Sequence, residues 1–210
     1  MTGAPPPWLA RLIAAAGGLQ ASDLSQLEAP ADGGRESAVL VLFGDGAAGP
    51  DVLLIERSAH SRQHAAQAAF PGGAVEPDDE GPASTALREA AEETGLDPTG
   101  VDVLNVLPAL WLPPSGFMVV PVLAWWRAPS LVTAADPNEV AAVARVPIAR
   151  LVDPVNRFRL RHPSGYVGDA FEVDDLMVWG FTAGLLSRLL EIGGWSVAWN
   201  SDDVRDLRPR

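Results

Sequence analysis

The segment GPASTALREAAEETGL, residues 81–96, constrains the fold more than any other stretch. Pro82 suits a first helical turn, where its missing N–H is no loss, and Gly95 suits the position just past a last one. The span between them is predicted as a helix of about three and a half turns. With Glu89 set at zero and about 100° per residue, Glu93 lies at about +40° and Glu92 at about −60°, while Ala83, Leu87, Ala90 and Ala91 gather on the far side. One face belongs to the core and the other is a group of carboxylates.

Such a helix opposes its own formation. Like charges three and four residues apart cost about 0.2–0.5 kcal/mol per pair, and Glu92 and Glu93 stand at the C-terminal end, where the helix dipole disfavours anions. Arg88 is the one basic residue at hand, so the group is expected to lack local compensation. A solvated acidic face is one reading, because charge runs are commonly solvent faces. The other is a cation site: hard divalent ions such as Mg²⁺ take oxygen ligands, a few carboxylates plus water and substrate phosphates. On that reading a metal lets an acidic protein hold an anionic substrate.

The chain is acidic as a whole, with a formal charge of −12 over 210 residues. Nucleic acid and anionic membranes are disfavoured as partners, because their approach is repelled before contact. All the basic residues are arginine, which excludes lysine chemistry; the lack of cysteine excludes disulfides, thiolate catalysis and Cys-ligated zinc, and fits a reducing cytoplasm. The N-terminal MTGAPPPWLARLIAAAGGLQA lacks a basic start and carries Arg11 within its apolar run. It reads as a short amphipathic helix after a proline brake, not as a signal peptide. The longest apolar region, residues 101–126, is broken by Pro108, Pro113, Pro114 and Pro121 and polarised by Asp102 and Asn105, so it reads as two or three buried strands.

The length fits one domain with a full core. Residues 1–36 form a helical arm and polar connector, 37–200 the main domain, and 201–210 a tail. AVLVLF and VLLIERS, joined by GDGAAGPD, suggest a hairpin. RFRLRHPSGYVGDAFEV suggests a second one, with Phe158 and Leu160 on one face and a solvated Arg157, Arg159 and Arg161 on the other. LMVWGFTAGLLSRLLEIGG reads as a C-terminal helix ending at Gly193-Gly194. Strands and helices mingle without regular βαβ alternation and no G-x-G-x-x-G occurs, which favours an α/β sandwich with a mixed sheet over a dinucleotide-binding fold.

REAAEETGL, with Glu80 eight positions before Arg88, resembles the signature box of the Nudix hydrolases, G-x5-E-x7-R-E-U-x-E-E-x-G-U with U apolar. Glu80, Arg88, Glu89, Ala90, Glu92, Glu93, Gly95 and Leu96 match. The first glycine of the pattern would fall at Ala74, whereas the glycines here are Gly72 and Gly73. The loop thus holds one extra residue, as in the coenzyme A pyrophosphatase-like branch, and either Asp79 or Glu80 takes the first acidic position. The resemblance implies a Nudix-type α-β-α sandwich that hydrolyses a nucleoside diphosphate derivative with Mg²⁺ or Mn²⁺. Glu89, Glu92 and Glu93 are then the metal ligands, and Arg88 orients a carboxylate.

Upstream, LLIERSAHSRQHAAQAAFPGG is similar to a second signature of that branch. Leu53, Leu54, Arg57, Ser58, Arg62, Phe70, Pro71, Gly72 and Gly73 are in register, while Ile55 replaces a threonine and Ala66 a glycine. The resemblance implies cleavage of coenzyme A or its derivatives to 3′,5′-ADP and 4′-phosphopantetheine. Another nucleoside diphosphate derivative, such as ADP-ribose or NADH, and a non-hydrolysing nucleotide sensor are the alternatives. A homodimer is compatible with either. Arg57 and Arg62 suit phosphate oxygens, although nearby acids would pair with them equally well. Phe70, Gly72 and Gly73 are grouped with them as substrate-binding, and His64 reads as a hydrogen-bonded loop residue. Glu139, outside the box, either completes the metal site or activates water, or else caps the segment after it.

Overall fold

The structure is a computed structural model; it describes residues 3–31, 33–58, 67–113 and 115–207. After a 3-10 turn at Pro7–Leu9 come α1 (Ala10–Ala16) and α2 (Ala21–Leu24), then β1 (Arg35–Gly46), β2 (Gly49–Arg57), β3 (Ala68–Ala69), β4 (Gly72–Ala74) and α3 (Pro82–Thr94). They are followed by β5 (Val101–Val106), β6 (Leu110–Leu112), β7 (Phe117–Trp126), β8 (Val140–Pro147) and α4 (Ile148–Val152). The chain closes with β9 (Arg157–Arg161), β10 (Val167–Val173), β11 (Leu176–Val178), α5 (Gly180–Gly193) and β12 (Val204–Asp206).

The main sheet is mixed. β1 and β2 form the expected hairpin, closed at Gly46 opposite Gly49, and β1 also runs parallel to β7 from Arg35 opposite Phe117 to Phe43 opposite Trp125. β8 lies antiparallel on the far edge of β2, and β5 and β6 lie on the far edge of β7. Both faces are covered, which explains the near-continuous apolar run of β1. Ala38, Leu40 and Leu42 meet Ala86 and Ala90 of α3, while Val41 and Phe43 join the cluster of Leu12, Leu185, Leu186 and Leu189 from α1 and α5. The result is a sandwich of helix, sheet and helix. The region that looked long enough for a membrane is β5, β6 and β7, and among the described residues no helix is long and apolar enough to cross one. Pro121 sits inside β7 where Leu107, between β5 and β6, donates its N–H to the Pro121 carbonyl. The missing N–H of the proline therefore falls at the gap between those two strands.

The hairpin is forked. The outer edge of β1 is taken by β7 and that of β2 by β8, yet β4 pairs with β1 (Val39 opposite Gly72) and β3 with β2 (Ile55 opposite Ala69). β3 and β4 must therefore lie between the two diverging strands, and the Leu40 N–H donates to the Pro71 carbonyl at 2.8 Å. Gly72 is required there: a Cβ would come 2.3 Å from the Ala38 carbonyl oxygen and 2.7 Å from the Val39 Cα.

A second sheet, ordered β11-β10-β9-β12, packs through Phe171, Val173 and Val178 into the α5 side of the core. Three expectations change here. Leu176–Val178 is a strand, because the helix begins only at Gly180, whose φ of 65° marks the break. Val204–Asp206 of the tail pairs in parallel with β9. The arginine face of β9 is solvated only in part: Arg157 is fully buried against Ser187 of α5, Arg159 is half-buried, and Arg161 is exposed as expected.

Candidate active site

α3 begins and ends where the sequence suggests. The Ser84 hydroxyl accepts from the Gly81 N–H at 3.1 Å, Pro82 opens the first turn, and Gly95 closes the last with φ 68°. Its core face is centred on Thr85, Ala86, Ala90 and Thr94, one position away from the expected Leu87 and Ala91, which are half-buried. The rotation puts Glu93 against the sheet. The three carboxylates are thus graded: Glu93 is 6% exposed, Glu89 18% and Glu92 61%.

Glu93 reaches into the fork. It accepts the Gly72 N–H at 2.9 Å, and the Arg57 guanidinium stands 3.7 Å away while donating to the Gly72 carbonyl at 3.3 Å. Burial pushes the Glu93 carboxyl up to about 7; Arg57 and the Gly72 N–H oppose that rise, and the charges of Glu89 and Glu139 add to it. Burial also raises Glu89, against the pull of Arg88. Glu89 lies on the backbone of Gly73, where a Cβ would sit 2.4 Å from its carboxyl carbon. Glycine at both positions thus serves carboxylate placement.

Arg88 supplies the local compensation that the acidic face is expected to lack. One Nη reaches Glu89 at 3.1 Å and Glu92 at 3.2 Å, while its Nε and other Nη grip Asp79 at 3.1 and 3.0 Å. Asp79 also accepts the Glu76 N–H and the Thr85 hydroxyl, each at 2.9 Å. Arg88 and these donors hold the Asp79 carboxyl well below the usual carboxylate range. Asp79, not the exposed Glu80, thus fills the first acidic position. The spacing from Gly73 to Asp79 is then that of the pattern, and the extra residue falls between Asp79 and Arg88. Thr85 is the partner that sequence reasoning missed; a hydroxyl in the first helical turn, close behind a loop acid, is its only signal.

Phe70, grouped with the substrate contacts by its motif, is instead 2% exposed in the core beside Ala68 and Leu54. It acts as the anchor that sets the path of Gly72. Ile55, also fully buried, suits its site better than a hydroxyl. Glu139 is exposed at the entry to β8; its carbonyl accepts the Ser58 N–H at 2.9 Å, and its charge is felt by Glu93. Arg62, His64 and Ala66 lie outside the described residues.

The donor set suits a hard cation: oxygen ligands only, two of them partly desolvated, their pKa values raised by burial in spite of the neighbouring arginines. Among the described residues no three carboxylates or histidines stand gathered as a ready cage. Because residues three and four apart on a helix are neighbours, gathering Glu89, Glu92 and Glu93 is a matter of side-chain rotamers.

Residues 34–167 match the family model described as the NUDIX domain. The chain belongs to the Nudix hydrolases. The uncharacterized Nudix hydrolase NudL of Escherichia coli K12 is 40% identical over 152 residues, covering 69% of this chain and 76% of NudL, and the protein of the same name from Shigella boydii serotype 4 matches to the same extent. In fold, the Nudix hydrolase RenU of M. smegmatis aligns with a TM-score of 0.53 at 21% identity, over 82% of this chain and 96% of its own. A MutT/nudix family protein from Enterococcus faecalis gives 0.51 at 18% identity, over 90% and 74%. Nudix hydrolases act on pyrophosphate bonds of small nucleotide substrates, generally with divalent metal ions.

Proposed function

We propose that this Nudix hydrolase splits the diphosphate of coenzyme A or its derivatives into 3′,5′-ADP and 4′-phosphopantetheine, using Mg²⁺ or Mn²⁺. The observation that carries the chemistry is the buried Glu93 at the fork, fastened to the Gly72 N–H beside Arg57. The substrate assignment is supported by the LLIERS and FPGG segments. Leu53 and Leu54 fix β2, Arg57 leaves its end, and FPGG threads the fork to deliver Gly72.

Glu89, Glu92 and Glu93 would hold the metal, which when bound supplies positive charge to the phosphate oxygens. Arg88, braced on Asp79, pairs with Glu89 and Glu92 and so keeps both carboxylates on one side of α3. Arg57 presents a guanidinium at the rim, where phosphate oxygens would lie. Glu139, whose charge is felt by Glu93, would act as the base, taking a proton from the attacking water as oxygen bonds to phosphorus and the bridging P–O bond breaks.

The test is turnover of coenzyme A, ADP-ribose and NADH with Mg²⁺ in ¹⁸O-labelled water, with products weighed. Coenzyme A is expected to be the best substrate and 3′,5′-ADP a product. Coenzyme A as the poorest of the three rejects the assignment, and tight metal-free binding with no phosphate-bearing product favours a sensor.

A further inference from the structure

Glu139 lies on the connection between β7 and β8, an exposed stretch that would by itself hold no side chain in place. Its backbone, however, is tied on every side. The N–H groups of Thr133 and Ala135 donate to the carbonyls of Thr94 and Glu93 at 2.9 and 3.1 Å, satisfying carbonyls that the last turn of α3 leaves open. Next comes a tight turn in which the N–H groups of Glu139 and Val140 both donate to the Asp136 carbonyl, at 3.0 and 2.9 Å. The Ser58 N–H then donates to the Glu139 carbonyl, and Val140 enters β8 opposite Arg57. A single short strut therefore links the backbone of Glu93, the end of β2 at Arg57 and Ser58, and Glu139.

The side chain that closes this strut is Asp136. Its Oδ1 accepts both the backbone N–H and the side-chain Nδ2 of Asn138, at 2.8 and 2.9 Å, and Pro137 presets the turn's first corner. We infer that Asp136 is a positioning residue for hydrolysis: through the turn Asp136–Glu139 it holds the Glu139 carboxylate in register with Glu93 and Arg57. The inference rests on the role proposed for Glu139. It adds that the base is aimed by a turn outside the family box and referenced to the end of α3, so that base and carboxylates share one frame.

The test uses the whole chain with Mg²⁺ and the faster of two probes, coenzyme A and ADP-ribose. Asp136→Ala is expected to lower kcat about tenfold with KM nearly unchanged, because misplacing a reacting group by a fraction of an ångström acts on the chemical step. Asp136→Asn keeps the Oδ1 acceptor and is expected to restore most of kcat. A merely structural role would lower the melting temperature without this split or this rescue. The pair Asp136→Ala/Glu139→Gln is expected to be no slower than Glu139→Gln alone, since a strut acting only through Glu139 has nothing left to aim. If Asp136→Ala does not fold, Pro137→Gly loosens the same turn and is held to the same kcat criterion. A slow Glu139→Gln beside a normal Asp136→Ala, or additive losses in the pair, overturns the inference alone. A normal Glu139→Gln overturns the role of Glu139 and the inference with it.

Discussion

Glu93 and Arg157 are the two deeply buried charged residues of this molecule whose surroundings differ most. Arg157 is 0% exposed and closed in: its guanidinium lies between the rings of Phe171 and Trp199, at 5.1 and 4.5 Å, and donates to Ser187 at 2.7 Å and Ser196 at 2.9 Å. Asp169, at the edge of this group, stands 3.6 Å away and accepts from Ser187, so both Nη atoms are satisfied while the Nε has no hydrogen-bond partner. Glu93 has one backbone N–H and a guanidinium 3.7 Å distant, with two further carboxylates adding to its charge burden. A buried charge held by two rings, two hydroxyls and a counter-ion fastens structure; one crowded by like charges at a rim is poised for a ligand.

Exchanging the two in a mutational experiment separates these roles. Glu93→Gln is expected to abolish Mg²⁺-dependent hydrolysis, by about a thousandfold or more, while the fold survives, as judged by circular dichroism. Retention of full activity would remove Glu93 from the site. Arg157→Ala should do the opposite. It leaves two serines and Asp169 without their cation and opens a gap between two rings, at a cost of about 3 kcal/mol in chemical denaturation, with kcat of the folded fraction unchanged. The third effect is smaller and concerns pH. Because the folded protein holds the Glu93 proton more tightly than an unfolded chain does, its neutral form contributes stability at low pH that is lost as pH rises through about 7. Metal-free protein is therefore expected to melt at a higher temperature at pH 5.5 than at pH 8, with a weaker slope in Glu93→Gln. An identical slope in the two proteins would contradict the assignment of that proton.

Much of the site was legible because its signals are local. Pro82 and Gly95 delimit α3, and the three glutamates read directly as a cluster; only their order of burial needed the sheet. The choice between Asp79 and Glu80 was not local, since it depends on how the loop returns to Arg88 and Thr85. Arg157 was misread for a related reason. Alternation in RFRLRH separates two faces of a strand, but which residues are covered depends on α5, far along the chain, whose Ser187 meets Arg157 while Arg161 stays exposed. Leu176–Val178 was absorbed into a helix because apolar spacing continues smoothly across Gly180, where only backbone conformation marks the change.

The arm at the start of the chain bears on how this domain is cut. Leu9 and Leu12 are fully buried, and Trp8 packs with Phe43 and Trp195 at ring separations of 6.5 and 6.1 Å. They share one layer with Leu185, Leu186, Leu189 and Leu190 of α5. All of these residues except Phe43 lie outside the stretch 34–167 that identifies the family. An expression boundary drawn at those limits would keep every box residue and strip α1 and α5 from one side of the sheet, taking much of the cover from Val41 and Phe43. The recognisable unit is smaller than the folding unit, and a soluble, active fragment has to carry both ends.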